Sequence, residues 1–118
     1  MAEPDDHQHE ALRRALADLS GIGRVRVQAT GDGVVLTRVG RGPVVLEVGA
    51  SQYARCEAWL GEARDAGLEV REVGGSARVA LGLDADEVIP HVLNALRTID
   101  GEGGTLVVKP AGGSAQRW

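Results

Sequence analysis

The spacing of apolar side chains along this chain switches between two periods, and the elements follow from where it switches. Over residues 7–19, Leu12, Ala15, Leu16 and Leu19 recur at helical intervals and form one stripe of an amphipathic helix. Glu10 and Arg14 make an i,i+4 pair on it, and Ser20-Gly21-Ile22-Gly23 should end it, because glycine just past the last periodic residue accepts the left-handed backbone of a helix stop. Period two then takes over. Arg24-Val25-Arg26-Val27-Gln28 alternates, so the valines face one side of a strand and the arginines and glutamine the other. A turn at Thr30-Gly31-Asp32-Gly33 leads to a second strand over residues 34–39, and a turn at Gly40-Arg41-Gly42-Pro43 to a third over 44–48. The unbroken runs Val34-Val35-Leu36 and Val44-Val45-Leu46 predict that these two strands are covered, at least in part, on both faces.

Helical spacing returns at Tyr53, Cys56, Leu60 and Ala63, in a second amphipathic helix over residues 52–66 with Ser51 as its N-cap and Gly67 as its stop. On a helical wheel Tyr53 and Trp59 flank that stripe, each roughly 60° from its centre. Two short strands, 68–73 and 77–81, are joined by Gly74-Gly75-Ser76, a strong hairpin signal. Asp84 and Glu87 then have the spacing of a capping box, and the helix behind them carries Val88, Val92, Leu93, Leu96 and Ile99 on one face before Gly101. Pro90 lies too deep for a first-turn proline and should remove one backbone hydrogen bond and kink this helix near Asp86. Residues 105–109 are a candidate last strand. The expected fold class is therefore α+β, an antiparallel sheet in the order α-β-β-β-α-β-β-α(-β) with helices packed on it. Residues 1–6 read as a disordered acidic tail, 7–109 as a single α+β domain, and the Gly/Ser-rich residues 110–118 as a flexible C-terminal tail.

Composition narrows the picture. A chain of 118 residues fits one domain, and with no Phe and only Tyr53, Trp59 and Trp118 as large aromatics its core must be aliphatic. Cys56, the one cysteine, excludes an internal disulfide, and the start of the chain is acidic where a signal peptide would be basic and then apolar. No apolar run approaches the ~20 residues of a membrane-spanning helix, so a soluble cytoplasmic protein without a membrane partner is expected. The net charge of −4 is unevenly placed: residues 11–41 carry six arginines against Asp18 and Asp32, whereas 42–104 carry five arginines against eleven acids. Twelve of the thirteen basic residues are Arg, which suits planar anion recognition but equally follows from a GC-rich coding composition.

Few residues ask for a chemistry. Residues 16–23, LADLSGIG, have the look of a DNA-binding helical hairpin, but such a unit needs a helix after the turn and a strand pattern follows instead. Arg24, Arg26, Arg38 and Arg41 are brought near one another by the turn at Gly31. With a single Lys in the chain and no aromatic before Tyr53, this cluster argues against nucleic acid and is read either as a solvated face or as a seat for an anionic ligand on Arg24, Arg26 and Arg38. His7 and His9 are two apart at a helix start, so they do not share a helical face, and no metal site is assigned; His91 has no second ligand in reach by spacing. Cys56 falls on an apolar stripe and reads as a small core side chain before it reads as a nucleophile. There is no nucleophile elbow, phosphate loop or paired-cysteine zinc spacing, so no catalytic residue and no cofactor is nominated.

Residues 59–99, with a helix ending Asp65-Ala66-Gly67-Leu68, a glycine-centred hairpin and a capped final helix, resemble in topology the small dimeric chaperones of type III secretion and chaperone-like domains of actinobacteria. The resemblance implies a homodimer paired through the middle helix that holds a protein or peptide partner on apolar surfaces. Together with the absent catalytic motifs, it makes a non-enzymatic binding module the first expectation, with Tyr53, Trp59, Leu60 and Ala63 at the partner or dimer surface; at the edge of its stripe Trp59 reads first as a core side chain and second as an interface anchor. The alternative is a domain that binds a small anion through its arginines.

Overall fold

A computed structural model describes residues 4–28, 33–38, 41–73, 75–100 and 106–110. The elements run α1 (Pro4–Ile22), β1 (Arg24–Gln28), β2 (Val34–Thr37), β3 (Val44–Val48), α2 (Ala50–Asp65), β4 (Glu69–Val73), β5 (Ser76–Gly82), α3 (Ala85–Asp100) and β6 (Val107–Pro110). This is the expected α+β order, last strand included. The strands form one antiparallel sheet in the order β4-β5-β3-β2-β1-β6, so the hairpins β1-β2-β3 and β4-β5 are joined side by side through β3 and β5, and β6 closes on the far edge of β1.

All three helices cover the same face. Val25 and Val27, Val34 and Leu36, Val44, Leu46 and Val48, and Ala77, Val79 and Leu81 are the alternate positions of four neighbouring strands, and they share one aliphatic core with the helix stripes. Over this face α1 lies on β1 and β6, α2 on β4 and β5, and α3 between them against both other helices. The core has the aliphatic content the composition demanded, with Trp59 the large aromatic inside it.

Several boundaries differ from the sequence reading. The first helix begins at Pro4, inside the segment expected to be disordered; a proline costs nothing in a first turn, where its missing N–H would have no helical partner. The second helix begins at Ala50 with Gly49 as N-cap, so Ser51 lies within the first turn and is not the cap. Gln52 takes over part of that role, its Oε1 accepting the Gly49 N–H at 3.3 Å. Its C-terminus closes as a Schellman motif on Gly67, φ +85°, with the Leu68 N–H donating to the Ala63 carbonyl at 2.9 Å. At the start of α3 the N–H groups of Glu87 and Val88 both reach the Asp84 main-chain carbonyl, and the helix continues through the exposed Pro90. The turn at 29–32 and the tail at 111–118 lie outside the described residues. No helix among the described residues is long and apolar enough to cross a membrane.

Candidate functional site

The face of the sheet away from the helices follows from strand parity. If Val25, Val27, Val79 and their neighbours point at the core, then Arg24, Arg26, Gln28, Glu47, Arg78, Arg71 and Lys109 must point the other way. The register lines five of these positions, with Val35 among them, into one row across the sheet. Lys109 pairs with Arg26, Arg26 with Val35, Val35 with Glu47, Glu47 with Arg78, and Arg78 with Arg71. A second row runs Arg24, Thr37, Val45, Ala80, Glu69. Among the described residues five cations against two carboxylates occupy this face, in a chain whose net charge is −4, so the side of the sheet away from the helices opposes the sign of the whole molecule.

Glu47 is the centre of the arrangement. Its Oε1 lies 3.2 Å from Arg78 Nε and its Oε2 3.2 Å from an Arg24 terminal nitrogen, and its side chain is only 17% exposed. Arg24 stands on β1 and Glu47 on β3, so the Arg24 stem has to pass over β2, which lies between them, a span of roughly 10 Å across two strand spacings. That crossing explains why Val35 and Thr37 are buried although they face away from the core, and so why β2 reads as apolar on both sides. The arginine stem does on one face what the helices do on the other. The Arg24–Glu47 contact is an ion pair without hydrogen-bond alignment, since Arg24 Nε and Glu47 Oε2 are both shielded from solvent and neither has a hydrogen-bond partner among the described residues. Buried polar atoms of this kind are uncommon in folded proteins.

Beside this cluster opens a cavity of about 560 Å³ whose polar lining includes Arg24, Arg26, Gln28, Glu47, Arg78 and Gln52. The volume is in the range of small-molecule sites. Gln52 is fixed there by two bonds, Nε2 donating to the Gly33 carbonyl at 2.6 Å and Oε1 accepting from Gly49. It thereby ties the start of α2 to the start of β2 at the cavity wall.

Of the arginines nominated from sequence, Arg24 and Arg26 line this cavity, whereas Arg38 does not. Arg38 follows the last residue of β2 and donates through Nε to the Gly42 carbonyl at 2.9 Å, bracing the approach to β3. Arg78 and Glu47, which sequence reasoning did not select, are the other charged members. The residues expected at a partner or dimer surface are placed differently: Trp59, Leu60 and Ala63 are buried in the core, at most 3% exposed. Tyr53 is half-buried and donates its hydroxyl proton to Glu72, which also accepts from Arg64 at 2.7 Å. That pairing raises the Tyr53 pKa and, with Arg64, lowers that of Glu72. Cys56 is buried, and desolvation raises its thiol pKa, the opposite of what an activated nucleophile needs. No family model, no curated protein and no solved structure matches this chain.

Proposed function

We propose that this domain is a non-enzymatic binding module that receives a small anionic ligand on the uncovered face of its sheet, in the cavity between Arg24, Arg26 and Arg78. The observation that carries this reading is the convergence of three arginines from two hairpins on one polar cavity in an otherwise acidic chain. Guanidinium groups that are partly shielded from water hold carboxylate or phosphate more strongly than solvated ones, and their planar donors suit both. A chaperone-like homodimer that holds a protein or peptide has less to rest on, because three of the four side chains expected to serve it are spent on the core. Among the described residues, Leu83 and Val107 are the large apolar side chains left exposed, and a cytoplasmic setting would suit the single cysteine.

Thermal unfolding in phosphate, sulfate and citrate, each matched for ionic strength with chloride, tests the proposal. A saturable rise in the midpoint is expected, corresponding to about 2.7 kcal/mol at a hundredfold excess over Kd. It should vanish when Arg26 and Arg78 are both changed to Ala. A midpoint that follows ionic strength alone, whichever anion supplies it, would remove the reading.

A further inference from the structure

We infer that two copies of this chain pair through β4, edge to edge and antiparallel, with Val70 on the twofold axis, so that each six-stranded sheet continues into the other. β4 is an end strand of the sheet, and among the described residues no strand pairs with its outer side. The two ends of the sheet differ. β6 carries Lys109 and Pro110, a charge of one sign and a residue without an N–H, both of which discourage a further strand. β4, Glu69-Val70-Arg71-Glu72-Val73, has no proline, pairs with β5 without a bulge and mixes the two signs of charge. An edge of mixed charge is closed to most strands and open to one whose charges fall in the complementary order.

Main-chain geometry and charge select the same register. Two residues separate Val73 from Ser76, so that pair closes the hairpin with hydrogen bonds, and by alternation Arg71–Arg78 and Glu69–Ala80 are bonded pairs as well. The peptide groups of Glu69 and Arg71 are therefore turned to β5, and those of Val70 and Glu72 to the outside. A twofold arrangement that exchanges main-chain hydrogen bonds must then be centred on Val70 or on Glu72. Centring on Glu72 sets that carboxylate against its own copy. Centring on Val70 sets Glu69 opposite the second copy's Arg71, and Arg71 opposite its Glu69, both at non-hydrogen-bonded positions, where facing side chains come closest. Glu69 and Arg71 already hold each other at 3.2 Å along the strand, so pairing exchanges partners and supplies none that were missing; the charges choose the register that the main chain holds. On the helix side, Leu68 and Val70 are only partly buried at the margin of the core. The axis at Val70 brings these two side chains toward their copies and buries what the single chain leaves open.

Sedimentation equilibrium of the whole chain across the micromolar range tests this pairing with charge swaps. The parent should be dimeric at high micromolar concentration. Glu69→Arg sets Arg against Arg, and Arg71→Glu sets Glu against Glu, so each should weaken self-association on the order of tenfold or more. The two variants mixed should form a heterodimer, and the double variant carrying both changes should regain a homodimer, each close to the parent's strength; circular dichroism reports that every variant is folded. A parent that stays monomeric, leaving the edge to an extended segment of another protein, would overturn the inference. So would a dimer that both single changes leave intact, since its interface lies elsewhere, or single variants that dissociate and are rescued neither by mixing nor by the double change.

Discussion

Tyr53 and Glu72 show how a contact at the edge of the core can be followed by itself, because Tyr53 is the one tyrosine in the chain. The hydrogen bond to the Glu72 carboxylate holds the phenol protonated, so ultraviolet titration should find its midpoint above the ordinary tyrosine value, and Glu72→Gln should bring it back down. The linkage has a sign at each end of the pH scale. A carboxyl held low in the folded state gives stability that is complete above the ordinary carboxylate range and is lost as pH falls through the lowered value. A phenol held high gives stability that is complete below the ordinary tyrosine range and is lost as pH rises through the raised one. Neither residue's role was legible in sequence, since the pairing joins a helix to a strand that only the fold brings together. Arg24 and Arg26 were legible, because they share the parity of one alternating strand. For Arg38 the same parity gave the opposite answer: Val35 and Thr37 face outward on β2, so the residue after Thr37 cannot. Glu47 did leave a trace, as the one charge in the run Val44-Val45-Leu46-Glu47-Val48, but its meaning depends on β5 lying beside β3.

At the scale of elements, β2 and α2 are locked together where both begin. A Cβ on Gly33 would stand 2.0 Å from the Val27 carbonyl oxygen, on a backbone with φ +70°, while the Gly33 carbonyl receives the Gln52 side chain. Gly33→Ala should therefore destabilise the domain by about 2 kcal/mol or more, through left-handed strain and a backbone clash together, read as a lower urea midpoint. The identities and order of the elements could be read from periodicity because each is long enough to show its own period. Trp59 was open to two readings, core first and interface second: a side chain 60° off the centre of a stripe is at the rim of a helix packed on one flat surface, but α2 meets both the sheet and α3, which widens its buried arc and takes Trp59 into the core. Its cap was missed for a related reason. Ser51 has the right chemistry for a cap, yet the backbone turns at Gly49, and Gln52 supplies the oxygen from inside the helix.

For the whole molecule, the joining of β6 to β1 is the strand pairing of longest range. Val25 pairs with Pro110 and Gln28 with Val107, while Leu106 is buried and Val108 packs against the core. Deleting residues 106–118 should cost about 3 kcal/mol from lost apolar burial alone, detectable as a lower unfolding midpoint with far-ultraviolet circular dichroism otherwise preserved. Strand order was the part of the architecture that sequence could not supply, because the joins of β3 to β5 and of β1 to β6 leave no local signal. The row of cations depends on those joins, which is why only its β1 member, Arg26, could be foreseen. One more consequence follows from the last strand. Synthesis runs from N- to C-terminus, so β1 emerges with one flank unpaired, and that flank stays open until β6, the last of the strands in the sheet, has been made. Arg26, which lies on β1 opposite Lys109 of that strand, puts a positive charge on the bare border, and a charge there disfavours pairing with a second nascent chain.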